Sequence, residues 1–477
     1  MKFSIITAVY NCENYLSQAI ESVIKQDIGF KDNVQLILVD DGSTDCSKEI
    51  ALEYQNKYPH NILVLSKKNN GPGSARNLGL EYAEGDYVNF LDSDDKLSLN
   101  ALSNVYSFFK NNDVDVVSIP IVFFERRGGE HVLNYKFKDT GLIDLNEVYD
   151  YPQLSISSSF IKSDSIGGLR FDEDLVNGED ALFLNKIILN KQKYGVLSNA
   201  SYWYRKRNDF SSIMDQSKNL TKFFLGKISN FYLELINYSL SHVGEVPKFI
   251  QYMIVYDLNS MVVAENFKPN DEFMECFKLV LSYVGKEIIV DHRYLDNNVK
   301  SFLIYLKNSE FHIETKPNEI FLKSGNHTIN KLHKHKLRFE KIQFDDNILY
   351  FEGYFSSNCD VKDIIINALK NEEKIYKTNF TNQRPFKKYF GIDWEFYYTF
   401  NVSIPLDKKE ECRIKFNIEI LDTVLYNEIK FKKEAESLNS KKVIMTEDKI
   451  IQFKNNSFYI FNNSLKNKIL LNLSIMR

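Results

Sequence analysis

The sequence predicts an α/β protein. A doubly wound, mostly parallel sheet with helices on both faces is followed by a helical region and a C-terminal β-sandwich. Three observations carry this reading. Over residues 2–120, short apolar runs alternate with segments of helical period, the order that builds parallel strands through helical crossovers. Long apolar-periodic segments, FFLGKISNFYLELINYSL and FIQYMIVYDLNSMVVAENF, occupy residues 216–325. From about residue 337 the pattern becomes short alternating runs such as LRFEKIQF, ILYFEGYFS, YYTFNVSIPL and RIKFNIEI, as in a sandwich.

Each element follows from local pattern. FSIITAVY reads as a strand. Within residues 13–26, Leu16, Ala19, Ile20, Val23 and Ile24 keep helical spacing. VQLILVD is an all-apolar buried strand ending at Asp40 and Asp41, and Ser43 is placed to cap the next helix, to about Tyr54. NILVLSK is a third strand. NNGPGSARNLGLEYAEG opens with a Gly/Pro turn and continues as a helix from about Ser74. DYVNFL is the fourth strand, residues 100–110 form a helix with Leu102, Val105, Tyr106 and Phe109 on one side, and VDVVSIP is the fifth strand. Residues 121–215 are less regular. They carry YPQLSISSSFIKSD as a strand, FDEDLVNGEDALFLNKIILN as a loop entering a helix, and YGVLSNASYWYRKRNDFSS as strand and loop. The chain thus divides into an α/β domain at 1–215, a helical linker or accessory domain at 216–330, a sandwich at 331–430, and a Lys- and Asn-rich tail or linker at 431–477.

Composition narrows the function. A chain of 477 residues exceeds one ordinary core. A net charge of −4 provides no global basic footprint for nucleic acid. The five cysteines, Cys12, Cys46, Cys276, Cys359 and Cys412, form no CxxC pair, which supports neither a zinc site nor a disulfide framework and favours a reducing compartment. MKFSIITAVYN lacks the apolar core of a signal peptide, and no run reaches the ~18 apolar residues of a spanning helix. A cytoplasmic location is expected, with peripheral contact at the inner face of the plasma membrane left open. His333 and His335, in KLHKHK, read as solvated surface, with contact to anionic lipid heads or an anionic glycan as the alternative.

The chemistry begins at LDSDD, residues 91–95, which places Asp92, Asp94 and Asp95 after the fourth strand. Open parallel sheets bind ligands at the carboxyl ends of their strands. Clustered carboxylates repel one another unless a cation joins them, and a divalent metal carrying a phosphorylated substrate is the simplest partner. An acidic turn with a helix cap is the plainer alternative. Asp40, Asp41 and Arg76 fall at strand ends on the same side, so the groups line one cleft. Glu179 and Asp180, in NGED, open an apolar helix; the helix dipole alone would favour acids there.

The segments SIITAVYNCENYLSQAIESVIKQ, LILVDDGSTD, NNGPGSARNLGLEYAEGDYVNFLDSDD and NGED resemble family 2 glycosyltransferases of the GT-A (Rossmann-like) fold, closely over about residues 1–110. The resemblance implies roles. Ala8 and Tyr10 begin the nucleotide pocket, and Asp41 accepts a hydrogen bond from uracil or another base. Asn70 and Arg76 sit beside base and diphosphate. Asp92 meets the donor ribose and Asp94 holds Mn2+ or Mg2+, with Ser93 counted among the donor-binding residues and Asp95 structural. Asp180 is the catalytic base, with Glu179 beside it. Arg205 or Arg207, with Ser211 or Ser212, hold the pyrophosphate. Trp203 is expected in the core rather than against an acceptor sugar. LYFEGYFS and RPFKKYFGIDWEFYYTFNVSIPL resemble accessory regions of bacterial capsule and teichoic-acid glycosyltransferases. Together these imply metal-dependent, inverting transfer from a nucleotide-sugar donor, most simply UDP-linked. The acceptor would be a cell-surface polysaccharide or its lipid-linked precursor, with self-association through the C-terminal half left open. A catalytically weak glycan-binding scaffold and a nucleotidyltransferase of related fold are the alternatives.

Overall fold

A computed structural model describes residues 1–175, 177–208, 220–264, 267–317, 319–331, 336–357, 364–420, 423–425, 429–431, 443–445 and 448–464. The chain forms two compact units. The first comprises Met1–Met261 with Pro269–Tyr294, and the second Val262–Lys268 with Leu295–Arg477.

The first unit begins β1 (Phe3–Val9), α1 (Leu16–Ile24), α2 (Phe30–Asn33), β2 (Val34–Asp40), α3 (Ser47–Lys57), β3 (Ile62–Ser66), α4 (Gly71–Glu81) and β4 (Tyr87–Phe90). It continues with β5 (Lys96–Leu97), α5 (Ala101–Asn111), β6 (Val116–Ser118), β7 (Ile121–Glu125), β8 (Gly129–Glu130) and β9 (Gly141–Asp144). Then come β10 (Ser159–Lys162), α6 (Ser163–Ile166), α7 (Glu179–Lys191), β11 (Lys193–Val196) and β12 (Tyr202–Lys206). The main sheet has eight strands in the order β3-β2-β1-β4-β10-β6-β11-β9. β3, β2, β1 and β4 are mutually parallel, while β10 runs antiparallel between β4 and β6. The carboxyl ends of β1, β2 and β4 therefore open on one edge, as their sequence order implies. β2 is buried at every position, which its unbroken apolar run requires of a strand covered on both faces. β5, β12, β7 and β8 form a smaller sheet.

Two helix starts differ from the sequence reading. Ser43 does not cap α3. Its amide donates to the Asp40 carboxylate at 3.0 Å and its hydroxyl accepts from the Asn11 amide, so α3 begins at Ser47. α4 begins at Gly71 rather than Ser74 because the Asn70 and Gly71 amides both bond Asp41, and Pro72 suits a first turn. α4 lies directly on β1, where a Cβ on Gly79 would stand 2.4 Å from Ile6 Cγ2.

Further helices, among them Leu233–Val243, Asp271–Ser282 and Lys286–Val290, complete the first unit. The second unit opens with the helix Asn297–Leu306. Strands follow at His312–Lys316, Glu319–Ser324 and His327–Lys331, inside the stretch read as helical. They are short, and only a few apolar residues mark each. Two larger sheets then pack face to face. One contains Leu337–Asp345, Ile348–Ser357 and Ile392–Pro405; the other contains Ile364–Lys370, Cys412–Ile420 and Ser457–Asn462. Phe339 and Phe351 of the first meet Phe416 and Phe458 of the second, with centroids 4.8 Å apart for Phe339–Phe416 and 4.9 Å for Phe351–Phe458. This is the expected sandwich. It also takes in Val443–Met445, Lys449–Lys454 and Ser457–Asn462, residues read as tail or linker. The missed signal is Asn455-Asn456 at φ 50° and 56°, the left-handed pair of a tight hairpin turn.

Gly85 precedes β4 where a Cβ would lie 2.4 Å from the Ser4 amide nitrogen. Gly85→Ala is expected to destabilise the first unit by about 1–3 kcal/mol, read as a lowered urea midpoint. An unchanged midpoint would show that this approach is not tight.

Candidate active site

The edge formed by β1, β2 and β4 gathers the acidic residues, and α4 supplies the arginine between them. Arg76 is buried on α4 at 6% exposure. Its Nη1 donates to Asp180 Oδ1 at 2.6 Å and to Glu179 Oε1 at 3.1 Å, and its Nη2 donates to Asp92 Oδ1 at 3.1 Å. One guanidinium thus joins the end of β4 to the start of α7, 104 residues along the chain from Arg76 to Asp180. A fork of fixed donors suits several carboxylates at once, which a lysine ammonium does not. Burial alone would lower the Arg76 pKa, but Asp180, Asp92 and Glu179 together raise it, so the cation is permanent. Asp180 is raised well above the usual carboxylate range, first by burial; Arg76 opposes this, and Glu179 and Asp92 add to it.

Gly178 sets the start of α7. It is left-handed, with φ 99°, and a Cβ there would stand 2.8 Å from the Phe231 ring. Only glycine meets both conditions.

Asp92 Oδ2 accepts from Ser157 Oγ at 2.9 Å and lies 3.4 Å from the Tyr202 hydroxyl. Asp94 is paired with Arg207, Nε to Oδ2 at 2.7 Å. Burial pushes the Asp94 pKa up, Arg207 pulls it down and Asp92 raises it again. Asp95 is buried, accepting from the Tyr202 hydroxyl at 2.8 Å and the Arg205 amide at 2.7 Å. Ser93 lies between them, half-buried. Among the described residues, no three His, Cys, Asp or Glu side chains converge as a ready-made metal cage. Asp94 with Asp92 beside it instead offers the few hard oxygens suited to a cation that takes its other ligands from phosphates and water.

Asp41 is buried and already holds three donors. It accepts from Lys67 Nζ at 3.0 Å, the Asn70 amide at 3.0 Å and the Gly71 amide at 2.8 Å. Tyr10, just past β1, is 50% exposed, whereas Ala8 lies within the strand. The Asn70 side chain turns to Glu173 at 2.9 Å. Asn77 holds the same segment, donating to the Phe171 carbonyl at 2.9 Å and to Glu173 at 3.0 Å.

Residues 4–169 match Glycosyl transferase family 2. An uncharacterized glycosyltransferase of Haemophilus influenzae is 33% identical over 260 residues, 54% of this chain and 96% of that protein. The chain belongs to glycosyl transferase family 2. Minor teichoic acid biosynthesis protein GgaB of Bacillus subtilis is 37% identical over 418 residues, 84% of this chain and 46% of GgaB. The chain therefore spans about half of GgaB's length. The crystal structure of S. aureus TarS superposes with a TM-score of 0.54 at 19% identity, covering 98% of this chain and 86% of TarS. TarS 1-349, solved in complex with UDP-GlcNAc, gives 0.53 at 21% identity, covering 69% and 99%. The fold of this family member, GT-A-like core and C-terminal β region together, is thus that of TarS.

Within the family core, Arg205 and Arg207 have separate places. Arg205 is spent on structure. Its Nε donates to the Asp94 carbonyl at 2.6 Å, its Nη2 to Gln18 at 2.9 Å, and its Nη1 pairs with Glu125. Arg207 alone of the two is paired with the Asp94 carboxylate. Ser211 and Ser212, like His333 and His335, lie outside the described residues. Trp203 is not in the core: it is 37% exposed and edges against Phe124. Sequence reasoning missed Ser157, Tyr202 and Asn77. Ser157 stands in a run of serines that gives no cue. Tyr202, a buried residue beginning a strand that follows the apolar helix, was the more legible.

The pH dependence of stability has a definite sign. The folded-state pKa of Asp180 lies above its unfolded value of about 4. Its contribution is fully present below that value and is lost as pH rises through the raised one. Asp180→Asn, neutral at every pH, should unfold at a higher temperature than the parent at pH ~7, with the gap closing towards pH ~4. A variant less stable than the parent at neutral pH would mean that attraction to Arg76 outweighs burial.

Proposed function

We propose that this chain transfers a sugar from a nucleotide-diphosphate donor, most simply a UDP-sugar, to a hydroxyl of a teichoic-acid-type cell-surface polymer or its lipid-linked precursor. Transfer proceeds with inversion and requires Mn2+ or Mg2+. The observation that carries the reading is the junction of Asp92 and Asp180 through one buried arginine. It brings the carboxylates that end β4 together with a second pair at the start of α7. Family membership supports the reaction class, and GgaB's name and the UDP-GlcNAc complex of TarS support the polymer and the donor.

Tyr10, Ala8 and Asn70 border the nucleotide, and Asp41 meets the base while its remaining bonds fix the loop before α4. Asp92 and Ser93 face the ribose, and Asp94 holds the cation. A divalent cation there supplies positive charge against the departing diphosphate. Arg207, paired with Asp94 at 2.7 Å, would turn to the same phosphates, a role assigned also to Ser211. The acceptor hydroxyl oxygen attacks the anomeric carbon as the bond to diphosphate breaks, and its proton passes to Asp180. A carboxylate with a raised pKa is the stronger base once ionised. Glu179 shares Arg76 with Asp180 and keeps the guanidinium from neutralising that base completely. Among the described residues, no helix is long and apolar enough to cross a membrane.

Two measurements test this. Product release across UDP-, GDP- and CDP-sugars with Mn2+ should select the UDP series. In that assay Asp180→Asn should lower kcat by about 10²–10⁴-fold while leaving UDP binding near the parent value. Asp94→Asn should instead abolish the cation-dependent part of UDP binding. Full turnover in either variant overturns the assigned mechanism.

A further inference from the structure

The second unit contains a polar cavity of about 540 Å³ that the donor chemistry does not use. It lies between the N-terminal end of helix Asn297–Leu306 and strands of two sheets, and is lined by Asn297, Asn298, Thr328, Asn330, Ser356 and Glu395 among others. This volume falls within the range of small-molecule sites. Its lining is unusual for one, since amides and hydroxyls dominate and large apolar side chains are few.

The polar groups are held in place. Glu395 is 6% exposed and Asn330 5%. Asn298 Nδ2 donates to Glu395 Oε2 at 2.8 Å, and Asn297 Nδ2 to Asn330 Oδ1 at 3.3 Å. Asp296 caps the helix, accepting the Asn298 and Val299 amides at 2.8 and 3.0 Å. Behind the wall, Trp394 Nε1 donates to Ser301 Oγ at 3.0 Å, and Ser301 Oγ in turn to the Asn298 carbonyl at 2.8 Å. Among the described residues charge is balanced: Lys387 stands 3.5 Å from Asp296 and 4.0 Å from Glu395, and Lys331 lines the cavity. With the helix's first amides already taken by Asp296 and a carboxylate in the wall, the cavity is a poor trap for a free anion.

Side-chain amides present a donor and an acceptor side by side, which matches vicinal hydroxyls. A carboxylate accepts from two hydroxyls at once. We infer that this cavity is a binding site for a neutral polyhydroxyl unit, a sugar ring or an open-chain alditol, separate from the donor site. The inference stands on residues of the second unit and does not rest on the proposed transfer reaction.

Ligand-observed NMR on the full chain tests it, with N-acetylglucosamine, ribitol and inorganic phosphate as separate probes and saturating UDP present to occupy the nucleotide site. Saturable millimolar binding of the sugar or of the alditol is expected, and whichever binds identifies the class. Asn298→Ala should weaken it by about tenfold, the loss of one or two buried hydrogen bonds. Glu395→Gln should do likewise. Thermal unfolding verifies that each variant is folded; should Glu395→Gln fail, Asn298→Ala decides alone. Absence of saturable polyol binding, parent affinity in folded Asn298→Ala, or binding of phosphate alone would each overturn the inference.

Discussion

Everything in the first unit's centre depends on one buried cation facing three carboxylates. Arg76 can be buried only because Asp92, Glu179 and Asp180 surround it, and those acids can approach one another only because Arg76 stands between them. Losing Arg76 would leave three acids without their shared cation, and stripping a buried charge of its partner typically costs about 3–5 kcal/mol, a large share of the stability of any domain. The surrounding structure serves this arrangement. Gly79 lets α4 lie against β1, Asp41 ties down the start of α4, and Gly178 lets α7 begin beside Phe231. The excess negative charge that remains is the useful product, because it can attract a cation and accept a proton.

Parts of this were readable from the residues and parts were not. The strand ends were legible, since unbroken apolar runs such as VQLILVD stop at acids and parallel order aligns their ends. Asp92, Asp94 and Arg76 followed from that alignment, whereas the Glu179–Asp180 pair came from the family resemblance. The division of labour between Arg205 and Arg207 did not follow. Two residues apart on or beside one strand, they differ only in what faces them, and Glu125, Gln18 and the Asp94 carbonyl are all distant in sequence. Ser43 misled because a serine before a helix suits a cap, but Asp40 and Asn11 took its polar atoms first. In the second unit, alternation announced the long strands of the sandwich. The short ones escaped because only a few apolar residues mark each, and one of their turns is an asparagine pair set among polar residues.

The two units solve different problems with the same small vocabulary. In the first, aspartates at strand ends are pulled together by a cation. In the second, Asp346-Asn347 and Asn455-Asn456 adopt positive φ to reverse the chain, leaving the interior to phenylalanines from both sheets.

The span of the Arg76–Asp180 contact also sets an order of events during folding. Arg76 and Asp180 lie 104 residues apart, and Asp95 and Arg205 lie 110 apart. Closing such loops costs entropy that nearby contacts do not, so non-local pairs of this kind form late. β1, β2, β3 and α4 can dock as soon as they emerge from the ribosome, but the charge centre must wait for α7 and β12. During synthesis the nascent first unit would carry Asp94 and Asp95 without Arg207 and Arg205, their later partners. The last strand to arrive converts a self-repelling edge into a finished one.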